Sequence, residues 1–243
     1  MSLLNELRAA VLNRALVRGY LFTIAVLLLS GCGADMPTRE QIVEAYPSVV
    51  DDAVPENKNV LCPFLRLIER SGLWEGETDP DTSTIAVSTV VDGTEEFGCS
   101  SLFCNTLANP TAAAQPGPGG VNIEALHTAA GFAHECGLTF AFEGTEVDDA
   151  TRQSTLDQLF ELSDENGHLS YNDILSVKLS ICESQNVEIT ALGEGEMKLI
   201  FAYLGGLDRG YVTYDDVERF LFAKLPETIT TRRLTQAMLS ELD

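Results

Sequence analysis

Cys62 stands at the start of a predicted helix, where a cysteine can serve as a metal ligand. Apolar residues at 61, 64, 65, 67 and 68 share one helix face, Pro63 suits the first helical position, and Gly72 suits the residue after the last. Cys62 is then the N-cap, so its sulfur faces unpaired N–H groups and the positive end of the helix dipole. Both features favour a metal-binding thiolate, although a cysteine at such a position is also commonly a small buried hydrophobe.

The spacing Cys-Pro-x-Leu-x-x-Ile-x-x-x-Gly resembles the proximal motif of the haem-thiolate peroxidase family, which includes the chloroperoxidases and unspecific peroxygenases. It is carried here by Cys62, Pro63, Leu65, Ile68 and Gly72. In that family the cysteine before the proline is the axial ligand of haem iron. The resemblance therefore implies haem b bound through Cys62, with Pro63 and Leu65 in the cofactor-binding motif.

Further motifs follow the same family in order along most of the chain from Leu61 to Pro226. Phe142-Glu143-Gly144 resembles its Glu-Gly-Asp segment, Leu169–Leu175 resembles its Ile-Thr-x-Glu-Asp-Leu helix start, and Gly195–Ile200 resembles its Gly-Glu-x-x-Leu helix. The fold that the resemblance implies is a mainly α, single helical domain enclosing haem.

The resemblance also implies a chemistry, in which peroxide oxidises a small-molecule substrate. A thiolate such as that of Cys62 pushes electron density onto iron and helps to cleave the O–O bond. Glu143 matches the family carboxylate that helps to hold a divalent cation beside a haem propionate, and it is a candidate catalytic residue. Thr145 replaces the aspartate expected after Gly144, which departs from the family's cation site.

The acid–base residue on the distal side of the haem departs further from the family. Ser176 occupies the place of the distal glutamate, and a serine is a poor acid–base group at neutral pH. His134, next to Glu135 and seven residues after His127, is a second candidate catalytic residue. Such histidines are commonly satisfied core or boundary residues instead.

Residues 1–31 have the pattern of an export signal, with three arginines ahead of the apolar run 21–29. Leu29-Ser30-Gly31-Cys32 looks like a bacterial lipobox, in which Cys32 becomes the lipidated first residue of the mature protein. Because Gly33 rather than Asp follows, an exported lipoprotein of the outer membrane is predicted if the host is Gram-negative. The alternative is an uncleaved anchor.

Export allows disulfides, and the number of remaining cysteines is informative. If Cys32 carries lipid, five remain: Cys62, Cys99, Cys104, Cys136 and Cys182. The last four could form two disulfides and leave Cys62 as the free thiol that a thiolate ligand requires. A different cysteine could also be the unpaired one.

The composition is that of a globular, strongly acidic protein. The 45% of hydrophobic residues argue against disorder, and the formal charge of −22 repels nucleic acid and anionic lipid. The predicted lipid, rather than surface charge, would therefore hold the protein at a membrane.

The predicted organisation is a lipidated tether with a short helix over 32–58, then a helical domain over 59–243. The segment Glu75–Gly120 is predicted as an irregular insertion, with a strand-like stretch over 84–91 and a cysteine bridge. The pattern beyond it is helical, and the predicted helices are Ile123–Phe142, Asp148–Ser163, Tyr171–Ser184, Glu194–Tyr203, Tyr214–Lys224 and Thr231–Leu242.

The same helices allow a second interpretation, because Gly167–Ile174 and Gly210–Val217 repeat one pattern that looks like the second half of an EF-hand loop. An EF-hand needs oxygen ligands before the glycine and a bidentate glutamate at position 12. Neither loop supplies that set, and helix N-cap patterns explain the repeat as well. A degenerate EF-hand-like binding module and a non-enzymatic structural lipoprotein are thus the alternative functions.

Overall fold

The computed structural model describes residues 35–115, 117, 119–130 and 136–243, and these are mainly helical. Residues from Met36 to Asp243 form one compact unit. The predicted signal peptide, the predicted lipidation site Cys32 and the candidate catalytic residue His134 lie outside the described residues. Within the described ranges, the helices are all too short or too polar to cross a membrane.

The segment predicted as a tether contributes to the core. Helix α1 (Arg39–Ala45) starts with the capping box predicted at Thr38 and Gln41, and a 3-10 turn (Pro47–Val49) follows. Met36, Ile42 and Val49 are all buried. The chain therefore joins the hydrophobic core well before residue 59.

Helix α2 (Pro63–Arg70) begins and ends where the sequence predicts. Cys62 is its N-cap, Pro63 is its first residue, and Gly72 adopts a left-handed φ of +79° just beyond its end. Phe64, Leu67 and Ile68 are buried on one face.

The predicted irregular insertion is wrong, because most of it is helical. A short hairpin of β1 (Thr78–Asp79) and β2 (Thr84–Ile85) leads into α3 (Val87–Glu96) and then α4 (Ser101–Ala114). The run of valine and threonine suggested a strand over 84–91, but only its first two residues are one. In the helix, Val90, Val91, Gly93 and Thr94 turn one buried face to the core.

The predicted helix Ile123–Phe142 is also wrong in its described parts. A 3-10 helix covers Ile123–Thr128, and residues 136–142 are not helical. Cys136 is tied by a disulfide to Cys182, and the amide of Asp148 donates to the carbonyl of Thr139. The disulfide and the hydrogen bond fix residues 136–142 to the helices that follow in the sequence.

The remaining helices form two helix–loop–helix units. The first comprises α5 (Asp149–Leu162) and α6 (Tyr171–Ser184), and the second comprises α7 (Ala191–Tyr203), the one-turn α8 (Gly206–Arg209) and α9 (Tyr214–Leu221). These agree with the prediction to within a few residues. The closing helix is shorter than predicted, since α10 spans Gln236–Leu239 and a 3-10 turn spans Ser240–Leu242.

Two short strands connect the two units. Strand β3 (His168–Leu169) pairs antiparallel with β4 (Val212–Thr213), with His168 opposite Thr213 and Leu169 opposite Val212. Both Leu169 and Val212 are fully buried.

The cysteine pairing has the predicted form. Disulfides join Cys99 to Cys104 and Cys136 to Cys182, and Cys62 is the free cysteine among the described residues.

A buried ion cluster links the N-terminal segment, α2, α5 and α9. Glu56 lies between two buried arginines, with Oε2 3.1 Å from Nε of Arg66 and Oε1 2.7 Å from Nη1 of Arg152. Both guanidinium groups also donate to the carbonyl of Leu221 at the end of α9, at 2.8 and 3.2 Å. Arg152 also pairs with Asp149 at 2.6 Å, so two carboxylates balance the two buried cations at a helix C-terminus.

Replacing Glu56 should be severely destabilising. Glu56→Gln keeps the shape but leaves the buried Arg66 without an anion and Arg152 with only the exposed Asp149. We expect a loss of about 3–5 kcal/mol in the free energy of unfolding. Urea unfolding measures it. Lys224→Met is the matched control, because it breaks the partly exposed Lys224–Asp52 pair outside the cluster and should cost less than about 1 kcal/mol. Equal losses in the two variants would contradict the role assigned to the cluster.

Candidate functional site

The loop that carries Cys62 is held in place by Arg66. Its Nη1 donates to the carbonyls of Val60 and Leu61, at 2.7 and 3.2 Å. These residues directly precede Cys62. The arginine therefore fixes the start of α2 from within the core.

The environment of Cys62 favours a thiol over the predicted thiolate. Burial raises the pKa of Cys62 to about 11, and the carboxylate of Glu196 acts in the same direction. The N–H groups of Leu65 and Phe64 and the charge of Arg66 lower the pKa, as the helix-start argument predicts, but they are outweighed. Cys62 is accordingly protonated at neutral pH.

An apolar cavity of about 510 Å³ opens beside the first turn of α2. Pro63 and Phe64 form one wall, and side chains of α4, α7, α9 and α10 form the others. A smaller apolar cavity of about 120 Å³ lies on the other side of Phe64, and Leu65 lines it. Among the described residues Cys62 lines neither cavity, although its neighbour Pro63 lines the larger one.

The other predicted site residues are not assembled around these cavities. Glu143 is exposed in a turn, with a left-handed φ of +53°. Ser176 is exposed on α6 and donates to the carbonyl of Asp173. Neither side chain lines either cavity beside α2. In the part of the chain that the structure describes, three or more His, Cys, Asp or Glu side chains are nowhere grouped to hold a metal ion.

These surroundings, as they stand, do not fit an iron–thiolate bond. The sulfur is protonated and does not line the cavity, and the predicted carboxylate Glu143 is in solvent. Haem binding therefore stays a prediction of the sequence.

The first EF-hand-like loop is closed by its own hydrogen bonds. One carboxylate oxygen of Asp164 accepts from the amides of Asn166 and His168, both at 2.8 Å. The carboxylate of Asp173 accepts from the amide and hydroxyl of Ser170 in a capping box. The acidic groups available to a cation are thus engaged with the loop itself.

The second loop contains an arginine close to its last carboxylate. Nη2 of Arg209 lies 3.9 Å from Oδ2 of Asp216 and donates to the carbonyl of Leu204 at 2.7 Å. The other oxygen of Asp216 accepts from the amides of Glu227 and Thr228. Asp216 is only 2% exposed, so this guanidinium supplies positive charge where a calcium loop would use the metal.

The ion cluster around Glu56 was missed by the sequence analysis. Glu56 stands 10 positions before Arg66 and 96 positions before Arg152, and no local pattern connects the three residues. Arg209, by contrast, stands directly before Gly210 in the repeat, so a cation at a ligand position was visible in the sequence.

Comparisons with known proteins place this chain in no family. A scan against protein-family models found no match, and a search of curated proteins found none either.

The thiol of Cys62 should be unreactive near neutral pH. An increase in pKa from an ordinary 9.0 to about 11 lowers the thiolate fraction at pH 8 by about a hundredfold. Alkylation by iodoacetamide, followed by mass spectrometry, should be slower than in the urea-unfolded chain by at least that factor. Because the folded pKa is the higher one, the thiol contributes stability below pH 9 that is lost as the pH rises towards 11. Equal rates in the two states would indicate a reactive thiolate.

Proposed function

We propose that this chain is a non-catalytic binding protein built on a calcium-independent, EF-hand-like pair of helix–loop–helix units. The observation that carries the proposal is the pairing of β3 with β4. Leu169 and Val212 both stand two residues after the loop glycine, and they lie opposite each other in the pair. Equivalent positions of the repeat therefore meet, as two copies of one unit related by a local two-fold axis would require.

The loops support calcium independence. Asp164 is engaged with backbone amides in the first loop, and Arg209 stands beside Asp216 in the second. A second cation beside Arg209 would be repelled by the guanidinium. The fold of each loop consequently needs no metal.

Helix α2 covers an apolar face of this pair. The ring of Phe64 meets Tyr203 of α7 edge-on at 5.0 Å, and α2 packs against α9. Arg66 and Arg70 donate to the carbonyls of Leu221 and Phe222 at the end of α9. An amphipathic helix in an apolar groove is a common mode of peptide recognition, and the chain here uses its own helix.

The proposed setting is outside the cytoplasm, with lipid on Cys32 as the anchor. The two disulfides support export, since such bonds persist in oxidising compartments. The lipobox-like sequence ending at Cys32 supports the anchor.

A haem-thiolate peroxidase is the second candidate function. The observation that favours it is that Cys62 is a free cysteine at the start of a helix whose first residue, Pro63, lines a large apolar cavity. Bound haem would supply the peroxide chemistry, and Cys62 is the residue that would hold it.

Calcium should leave the stability of the protein unchanged. A site with a dissociation constant of about 10 µM would add about 2.7 kcal/mol at 1 mM calcium, which corresponds to several degrees in melting temperature. We expect a shift below about 1 °C between 1 mM calcium and excess EDTA, measured by circular dichroism. Asp164→Ala is the control variant. A shift of several degrees that this variant abolishes would overturn the calcium independence.

The haem hypothesis has a spectroscopic test. If it is correct, protein expressed with ample haem should show the strongly red-shifted Soret band of thiolate ligation in its reduced carbon monoxide complex. Cys62→Ala should lose that band and Cys99→Ala should keep it. Protein that retains no haem would rule out the second candidate and leave the binding protein.

A further inference from the structure

We propose that the 510 Å³ cavity binds a small amphiphile with an apolar body and a cationic head group, such as an alkylammonium. The inference rests on the proposed function and deepens it by naming the ligand. It concerns the space that remains between α2, α4, α7 and α10 after α2 has covered the helix–loop–helix pair.

The inner walls of the cavity suit an apolar body. Phe64, Phe103 and Phe220 line it from three different helices, and Leu107 and Leu239 lie among them. Its volume falls within the roughly 300–1,000 Å³ of small-molecule sites. A bound hydrocarbon would remove this aromatic surface from water.

The smaller cavity extends the same site. It shares Phe64, Leu107 and Leu199 with the larger one, and its walls are almost wholly apolar. An alkyl tail that passes these shared side chains would reach the Cys99–Cys104 disulfide, which also lines the smaller cavity.

The polar side of the cavity is negatively charged. Glu194, Glu196 and Asp243 line it together with a single lysine, Lys198, which pairs with both Glu194 and Asp243. A further lysine, the buried Lys178, pairs with Glu196 at 3.0 Å. Three carboxylates thus face two ammonium groups, which repels an anionic head group and attracts a cationic one.

Photoaffinity labelling of the full chain in membrane vesicles tests the inference. Two probes of equal length are compared, a diazirine-bearing dodecylamine and a diazirine-bearing dodecanoate, and labelled peptides are identified by mass spectrometry. The amine should label peptides of α4 and α7 at least tenfold more than the carboxylate does. Unlabelled decylamine should compete with the amine probe.

Gly195→Trp is the decisive variant. Gly195 lines the cavity, and a Cβ added there meets nothing within 4 Å, so the new side chain begins in open space at the cavity wall. Labelling by the amine should fall at least tenfold. Leu102→Trp is the matched control, because Leu102 lies on α4, is 81% exposed and does not line the cavity. It should label like the parent.

Glu194→Lys separates head-group recognition from packing. It reverses a charge at the cavity wall and should move the preference towards the carboxylate probe by at least tenfold. Equal labelling by the two probes in the parent chain, or labelling that Gly195→Trp leaves unchanged, would overturn the inference. The calcium-independent scaffold has its own test, because a calcium-dependent melting temperature would overturn the scaffold whatever the labelling result.

Discussion

The contact on which the rest of the structure depends is the carboxylate of Glu56 between Arg66 and Arg152. Each buried guanidinium would be costly alone, because burial removes the water that solvates its charge. Glu56 offsets that cost for Arg66 and, together with Asp149, for Arg152, and the carbonyl of Leu221 accepts from both guanidinium groups. The cluster joins a loop, α2, α5 and α9. Its ion pairs and hydrogen bonds therefore fix the start of α2 against the end of the second helix–loop–helix unit.

The parts of the fold that could be predicted from the sequence are those governed by local chemistry. Helices α5, α6 and α9 start one residue after an Asp, Ser or Thr whose side chain accepts from the third helical amide. Failures came where distant contacts decide the local conformation. Helix α3 is rich in β-branched residues, yet its glycine lies against the indole of Trp74, where a Cβ would come within 2.5 Å of the ring nitrogen. Only the tertiary contact with Trp74 explains why Gly93 is there.

The candidate site shows the same division. The position of Cys62 at the helix start could be predicted, because proline and the apolar spacing determine it. Its protonation could not, since the helix dipole and amides are local whereas burial and the charge of Glu196 come from packing. Arg209 is an intermediate case, because its place in the repeat is local but its approach to Asp216 requires the folded loop.

Two glycines of α7 have different surroundings. A Cβ on Gly193 would lie 3.3 Å from the side chain of Ile189 and in ordinary contact with the stem of Lys178. A Cβ on Gly195, two residues later, would meet nothing within 4 Å, so the absence of a side chain there leaves the cavity wall open. Helix α2 cannot move without disturbing the Glu56 cluster. It therefore cannot shift inward to fill the cavity. The ion cluster thus anchors α2 beside the apolar cavity, and the acidic groups of α7 on the polar side of the cavity are the charges that the proposed cationic ligand would meet.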